Sequence, residues 1–432
     1  AYDPFGDGKT AIRGGYGIFY EHTNGNEGNS ESLEGSPPLV LNSTEYNVVG
    51  YTNIGGGGVA FPLGVNSIPR KAIWPYVQQW NLNVQRQILN GTVMTVAYVG
   101  SKGSHLSLQR DINQLVPITQ AENPYHPGQP MTQADCNNGT VNGVAPTGPA
   151  AIQFNVACGA SPDQYRPYRG FGTITSLEAE ANSTYNSLQV AVRRHVGRLN
   201  FDLAYTWSHS LDDSSDRYDG NFVDSYNLGR TRASSNFDQR HILNLGYVYD
   251  VPFFTQKGFA HTVLGGWQLS GLITFQTGTP FSLSDGLFNA GVGNGTGAGS
   301  YLDIVGNPNA VTQNNAIGVY GPLLYNPAAF AAPEGLTFGT SQRNALRNPQ
   351  RTNWDMGLFK HFEIRENTAF EFRAEAFNVF NHTQWNGVNS GTSCFGDSNN
   401  AGDPSCLANN NFLRPGGAHN PRILQLGLKF LF

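Results

Sequence analysis

The segment Arg422 to Phe432, RILQLGLKFLF, constrains the fold more than any other stretch of the chain. Leu424, Leu426, Leu428, Phe430 and Phe432 fall on one parity, with Gln425, Gly427 and Lys429 between them. Strict period two marks a β-strand with one apolar face. An apolar strand that runs to the last residue is an aggregation hazard on a soluble domain, because its free edge recruits other strands. A closed membrane barrel instead requires such a strand, since pairing removes the edge. The expectation is therefore an all-β chain, an antiparallel transmembrane β-barrel with this strand as its final stave.

Composition supports that reading. Only 13% of the 432 residues are charged, against about 25% in ordinary soluble domains. Aromatics reach 12%, and Gly (52) and Pro (24) are abundant. The mean hydropathy of −0.35 excludes a uniformly apolar chain, but it suits an apolar outer band around a polar lumen. A secreted β-sandwich or propeller shares much of this composition, so composition alone does not decide between them. A net charge of −5 with no basic cluster argues against a nucleic-acid partner. No run of about 18 apolar residues is present, so no transmembrane helix is expected. The opening AYDPFGDGKTAIRGG has no charged n-region followed by an apolar core, so the expectation is a mature form or a fragment.

Along the chain, alternating segments recur at Thr10–Tyr20, Tyr76–Ile88, Thr92–Val99, Tyr185–Arg194, Leu199–Trp207, Asp238–Tyr249, Trp267–Phe275, from Trp354, from Phe370, and at the C-terminus. That is about ten strands. Asn90-Gly91 is a strong hairpin signal. Short links near 90, 196, 255 and 365 alternate with long connections, chiefly 111–182, 279–351 and 382–420. Structureless loops of such length are rare in compact soluble domains. Outer-membrane barrels show this asymmetry, with short periplasmic turns and long extracellular loops. An even strand count puts the C-terminus on the short-turn, periplasmic side. Glu371, Arg373 and Glu375 oppose Phe370 and Phe372 in parity, so they should face the lumen, where a charge escapes the lipid penalty of about 2–4 kcal/mol. There they could pair with one another or with Arg193 and Asp355.

Four cysteines form two local pairs, Cys136 with Cys158 and Cys394 with Cys406. In an oxidising compartment these read as two loop-closing disulfides; without CxxC spacing a zinc site is not indicated. The acidic stretch LDDSSDRYDGNFVD places Asp212, Asp213, Asp216, Asp219 and Asp224 together. The first four are candidate Ca²⁺ ligands, although the spacing is not that of an EF-hand, and a solvated turn held by Asp and Ser side chains explains the same residues. No other cofactor is indicated. His209, Ser210 and Asp212 are neighbours in sequence, but a catalytic triad is defined by geometry, and GGWQLSG lacks the GxSxG frame. The glycine runs Gly55–Gly58 and Gly293–Gly299 lack the strand-to-helix context of a phosphate cradle. No enzymatic activity is expected.

Several stretches resemble one family. DPFGDGKTAIRGGYGIFYE, YVQQWNLNVQRQILNGTVMTVAYVGSKGSHL, NFDQRHILNLGYVYDVPF, GGWQLSGLITFQTGTPF, FRAEAFNVFNHTQWN and PRILQLGLKFLF resemble the C-terminal barrel half of TonB-dependent, Oar-like outer-membrane receptors of Acidobacteria and related bacteria. The resemblance covers nearly every strand and few of the loops. It implies that residues 1–432 form the C-terminal portion of a barrel of about 22 strands, with the plug, the TonB box and the N-terminal strands lying outside this sequence. It implies ligand binding at extracellular loops and passage through the lumen. The partners it implies are outer-membrane lipid, the TonB complex, an extracellular ligand and the barrel-assembly machinery, which would read Leu428, Phe430 and Phe432. Two readings stay beside it: a surface structural, adhesion or protein-export barrel without nutrient uptake, and a soluble secreted carbohydrate-binding β-protein.

Overall fold

A computed structural model describes residues 1–21, 62–71, 73–219, 224–256, 258–285, 290–293, 299–311, 316, 318, 320–365, 368–392 and 411–432. Its main element is one twelve-stranded sheet whose path runs through ten long strands in chain order. We label these β1 (Thr10–Tyr20), β2 (Tyr76–Leu89), β3 (Thr92–Asp111), β4 (Phe171–Arg194), β5 (Leu199–Asp212), β6 (His241–Asp250), β7 (Trp267–Gln276), β8 (Arg351–Arg365), β9 (Thr368–Phe377) and β10 (Ile423–Leu431). Each pairs antiparallel with its sequence neighbours. The expected ten-strand meander is present.

Local chemistry fixes the register. Leu89 pairs with Thr92 across Asn90-Gly91, the tight hairpin read from the sequence. Gly91 has φ of +67°, and a Cβ there would lie 2.2 Å from the side chain of Val196 in the neighbouring turn. Both the backbone and the space therefore require glycine. Once register is set, pleating sorts the faces. Leu426, Ala374, Leu358, Leu269, Tyr249 and Leu199 form one continuous cross-strand row. The adjacent row on the other face reads Gln425, Glu375, Gly357, Ser270, Val248 and Asn200. One face is an apolar wall and the other is polar.

Two strands are longer than the sequence implied. β3 has 20 residues and β4 has 24, whereas about 9–11 suffice to cross a bilayer. The stretch Phe171 to Asn182, expected within the 111–182 loop, is strand. It lacks the apolar face that marks a membrane stave, so its alternation of Thr, Ser and Glu with Ile, Leu and Ala reads as loop chemistry. The ladder becomes irregular between Gly103 and Ser107, where His105 takes a φ of +56°. Beyond that point the hairpin extension buries Leu108 and Ala181. The strand Leu63–Ser67, in the connection between β1 and β2 where no alternating segment was expected, pairs parallel with the start of β4.

All the long connections leave one rim of the sheet and all the short ones the other; Leu431 pairs with Ala369, which puts the C-terminus on the short-turn rim. On the opposite rim, the described parts of segments 112–170, 279–350 and 378–422 fold over one another. The first contains two helices, α1 (Gln133–Asn138) and α2 (Gly148–Ala157). A capping box between Thr132 and Asp135 starts α1, and Gly139 at φ +68° ends it, as the physics of helix ends requires. A third helix, α3 (Phe259–Leu264), lies in the short-turn rim between β6 and β7. Among the described residues no helix is long and apolar enough to cross a membrane, a statement that does not bear on strands.

Candidate functional site

The three long connections read as the binding surface form a cap with a core of its own. Leu283, Leu302, Leu323, Phe330, Leu346, Phe412 and Leu413 make one buried cluster drawn from the last two connections. Leu115 and Val156 from the first join Ala290, Val292, Tyr301 and Phe338 in a second. Tyr125, Met131, Val141, Phe154 and Leu336 make a third. Burial pushes the Tyr301 phenol up to about 12. Polar side chains staple these segments. Gln153 of α2 is 2% exposed; its amide donates to the carbonyls of Ala290 (2.5 Å) and Leu336 (3.0 Å) and accepts from the Ile118 N–H (2.9 Å). Asn113 donates to three carbonyls at 2.7–3.1 Å, those of Tyr168, Phe171 and Gly172. Such fully satisfied buried amides rigidify a fold, because leaving one unpaired costs its desolvation.

The expected Cys136–Cys158 disulfide is formed, with a Cα–Cα distance of 5.4 Å. It ties α1 to the residue capping the C-terminus of α2. A crosslink over 22 residues restricts the unfolded chain by about 3 kcal/mol in the entropy model. Cys394 and Cys406 lie outside the described residues, as do Gly55–Gly58 and most of Gly293–Gly299.

Arginines join this cap to the tops of the strands. Arg343, 1% exposed, bonds Asp212 at the end of β5 (2.6 Å), the Thr231 carbonyl (2.9 Å) and the Ser215 hydroxyl (2.7 Å), and lies 3.3 Å from Asp219. Arg347 pairs with Asp238 and donates to the Asp238 and Gly278 carbonyls. Burial works to raise the Asp238 carboxyl, but hydrogen bonds from Arg347, the Ser210 N–H and His209, with the Arg347 charge, outweigh it and hold it below its usual range. Arg166 bonds Asp111 at the tip of β3 (3.1 Å). The sequence reading missed these arginines. Their partners lie up to 131 positions away, so no local pattern shows them, although scarcity of charge makes each loop arginine a reasonable suspect.

The acidic stretch is thus part of the junction. Asp212 and Asp219 meet Arg343, and Asp213 meets Arg232 at 2.9 Å. Asp216 accepts the Tyr218 N–H and Asp224 the Tyr226 N–H, which is the Asp-turn chemistry of the plainer reading. Among the described residues no group of three or more His, Cys, Asp or Glu side chains is placed to hold a metal; an ion bound to Asp212 and Asp219 would compete with a guanidinium already there. His209 and Ser210 alternate on β5 and diverge: the imidazole contacts Asp238 and Arg240, the hydroxyl contacts Ser235. Asp212 belongs to Arg343, so these three residues do not assemble.

Below the cap, the polar wall carries its own pairs. Glu371 pairs with Arg373 as expected. Arg193 instead lies 3.6 Å from Asp202, and the Asp355 carboxylate accepts from Asn353 and from the Asn378 N–H. Arg13 bonds Gln85 and Gln268 bonds Asp250 on the same face. A pocket of about 520 Å³ opens elsewhere, on the apolar-parity side above the wall, lined by Lys102, Glu180, Asn182, Thr184, Asp213 and Arg232 among others. Its charges balance, and it does not lie along the polar face. Leu428 and Phe430 stand on the apolar face of β10; Phe430 packs on Phe370 at 4.9 Å and stacks with Phe432, which is 97% exposed.

Residues 1–425 match the family described as outer membrane beta barrel domain, so the chain belongs to that family, and its fold is that of an outer-membrane β-barrel domain. Among solved structures it is similar to the outer membrane transporter YddB from Escherichia coli, at 10% identity over all of this chain and 40% of that one, with a TM-score of 0.45. It is also similar to the ferric-catecholate import receptor Fiu from E. coli K12, at 9% identity over 98% of this chain and 33% of that one, TM-score 0.38. The ferripyoverdine receptor of the Pseudomonas aeruginosa outer membrane follows at 9%, 83% and 27%, TM-score 0.34. This chain therefore spans less than half the length of each. No curated protein sequence matches it.

Proposed function

We propose that this chain is the C-terminal portion of the barrel of a TonB-dependent, Oar-like receptor-transporter, which binds a ligand at its long-loop rim and passes it along the polar face. One observation carries the reading. The long connections do not trail from the strands; they build a cored cap on a single rim, above a wall whose polar parity continues from strand to strand. A cap of that kind is a binding surface on a rigid scaffold. Tyr165, Tyr168, Tyr218 and Tyr226 are half-exposed on this rim and offer aromatic faces to a carbohydrate or peptide ligand.

In this reading the cap faces outward from the cell and the C-terminus faces the periplasm. Coupling to TonB runs through segments beyond this sequence. The activity is binding and transport, with no catalytic step and no required cofactor, although Ca²⁺ at Asp212, Asp213, Asp216 and Asp219 remains a proposal to test by calorimetry. The barrel-assembly machinery would read Leu428, Phe430 and Phe432. The test is ligand uptake by cells with and without TonB: uptake should vanish on TonB deletion. Uptake that persists refutes energy-coupled transport and favours the adhesion or export barrel. Family membership already weighs against the soluble carbohydrate-binding reading.

A further inference from the structure

The connection between β6 and β7 differs from the tight Asn90-Gly91 hairpin on the same rim. It runs from Val251 to Gly266 and contains α3. Its apolar side chains are turned out: Phe253 is 64% exposed, Phe254 51%, Phe259 86%, Val263 47% and Leu264 50%. Several of its polar atoms are bonded within the protein. The His261 Nδ1 lies 2.6 Å from the Phe254 carbonyl, and the Thr262 hydroxyl donates to the Gly258 carbonyl. The last-turn carbonyls, which a helix end otherwise leaves to water, are taken by Lys360. Its ammonium donates to the carbonyls of His261, Val263 and Gly265.

Lys360 identifies the side of the wall on which α3 lies. It stands on the apolar parity of β8, two residues from Leu358, and pairs in register with Trp267 and Phe372. Its ammonium sits 5.3 Å from the Trp267 ring and 4.9 Å from the Phe362 ring, and Trp267 meets Phe372 edge-on. This lysine is 2% exposed. The helix is therefore clamped to the outer, apolar wall at its lower edge, where aromatic side chains of a barrel meet lipid headgroups.

We propose that residues 251–256 and 258–266 form an interfacial anchor. Phe253, Phe254, Phe259, Val263 and Leu264 enter the headgroup and upper acyl region of the phospholipid leaflet at the short-turn rim. Apolar side chains presented outward over a helix end whose carbonyls are satisfied by protein is an arrangement a lipid interface selects. The surface adjoins the apolar wall, and a clamp drawn from that wall holds it. The proposal rests on the orientation given above only for which leaflet is meant.

Photo-crosslinking tests this in cells, with p-benzoylphenylalanine placed at position 259, at 370 on the lipid-facing wall, and at 144 in the cap, where Val144 is 70% exposed. Mass spectrometry should find phospholipid adducts at 259 at a yield comparable to that at 370, and none at 144. Lys360→Met should lower the adduct yield at 259 and leave that at 370 unchanged. Lipid adducts at 370 with none at 259, or with only a protein captured at 259, overturn the anchor. Lipopolysaccharide adducts at 259 uphold the lipid contact and overturn the orientation instead. Absence of lipid at both positions overturns the anchor together with the membrane wall.

Discussion

The cap and the strand wall use the same apolar residue types under opposite rules. In the cap, Leu283, Leu302, Tyr301, Phe412 and Leu413 are fully buried against other protein. On the wall, Leu82 is 54% exposed, Tyr98 44% and Trp207 54%, and on β10 Leu426 is 76% exposed. The cap is held by hydrophobic burial and satisfied amides, as a water-soluble domain is. The wall is held by its backbone ladder and leaves its apolar side chains to lipid. One chain thus contains two folding problems with two solvents, and the arginine junction is where they meet.

The largest test of that contrast lies at the junction. Arg343→Met removes the guanidinium that meets buried Asp212, and removing one partner of a buried pair costs about 3–5 kcal/mol. Limited proteolysis should then cut the cap while the wall still gives a heat-modifiable shift between unboiled and boiled gel samples. Loss of both together would mean that the two regions are a single cooperative unit. Within the cap, Phe412→Ala should cost a similar amount, about 3–5 kcal/mol from lost transfer and a cavity, and accelerate cap proteolysis. Leu426→Ala, with no protein cavity to open, should leave both readouts near wild type.

A charge placed on each parity of β10 sharpens the other half. Leu426→Arg should destabilise the folded barrel by about 2–4 kcal/mol in bilayers, whereas Gln425→Arg on the polar face should cost little; equivalent losses would break the assignment of faces. The smallest effect concerns pH. The Asp238 carboxyl is held below its usual range, so its contribution is complete above the unfolded-state value near 3.8 and is lost as pH falls through the lowered folded-state value. Cap proteolysis in an acid titration should include a rise in that window, and Asp238→Asn should remove that component.

The wall was legible because a strand that touches lipid must alternate. The ten segments, the Asn90-Gly91 turn and the Glu371–Arg373 parity all follow from period two. The cap was not legible for the opposite reason. Its core draws on Leu115, on Tyr301 and Leu336, and on Phe412 from three connections, each residue isolated among Gly, Asn and Pro, and none of those neighbourhoods has a period. The upper halves of β3 and β4 were hidden because strand exposed to water loses the apolar face by which the lower halves were recognised. Within the candidate site, local chemistry gave the Cys136–Cys158 pair and the Asp turns, while every contact made by Arg343 and Arg347 depends on segments the topology alone brings together.

Sequence separation across the cap also has a meaning in time. Gln153 bonds the carbonyl of residue 336, which is 183 positions later, and Gln120 bonds Glu334 across 214 positions. Contacts of such range form late, because the ends of a long loop must first meet. A chain emerging from its N-terminus carries the residues of α1 and α2 long before Tyr301, Leu336 and Phe338 exist to cover them. Through most of synthesis and export, the first connection is therefore a half-domain waiting for its other half, with Phe154 and Val156 still facing water.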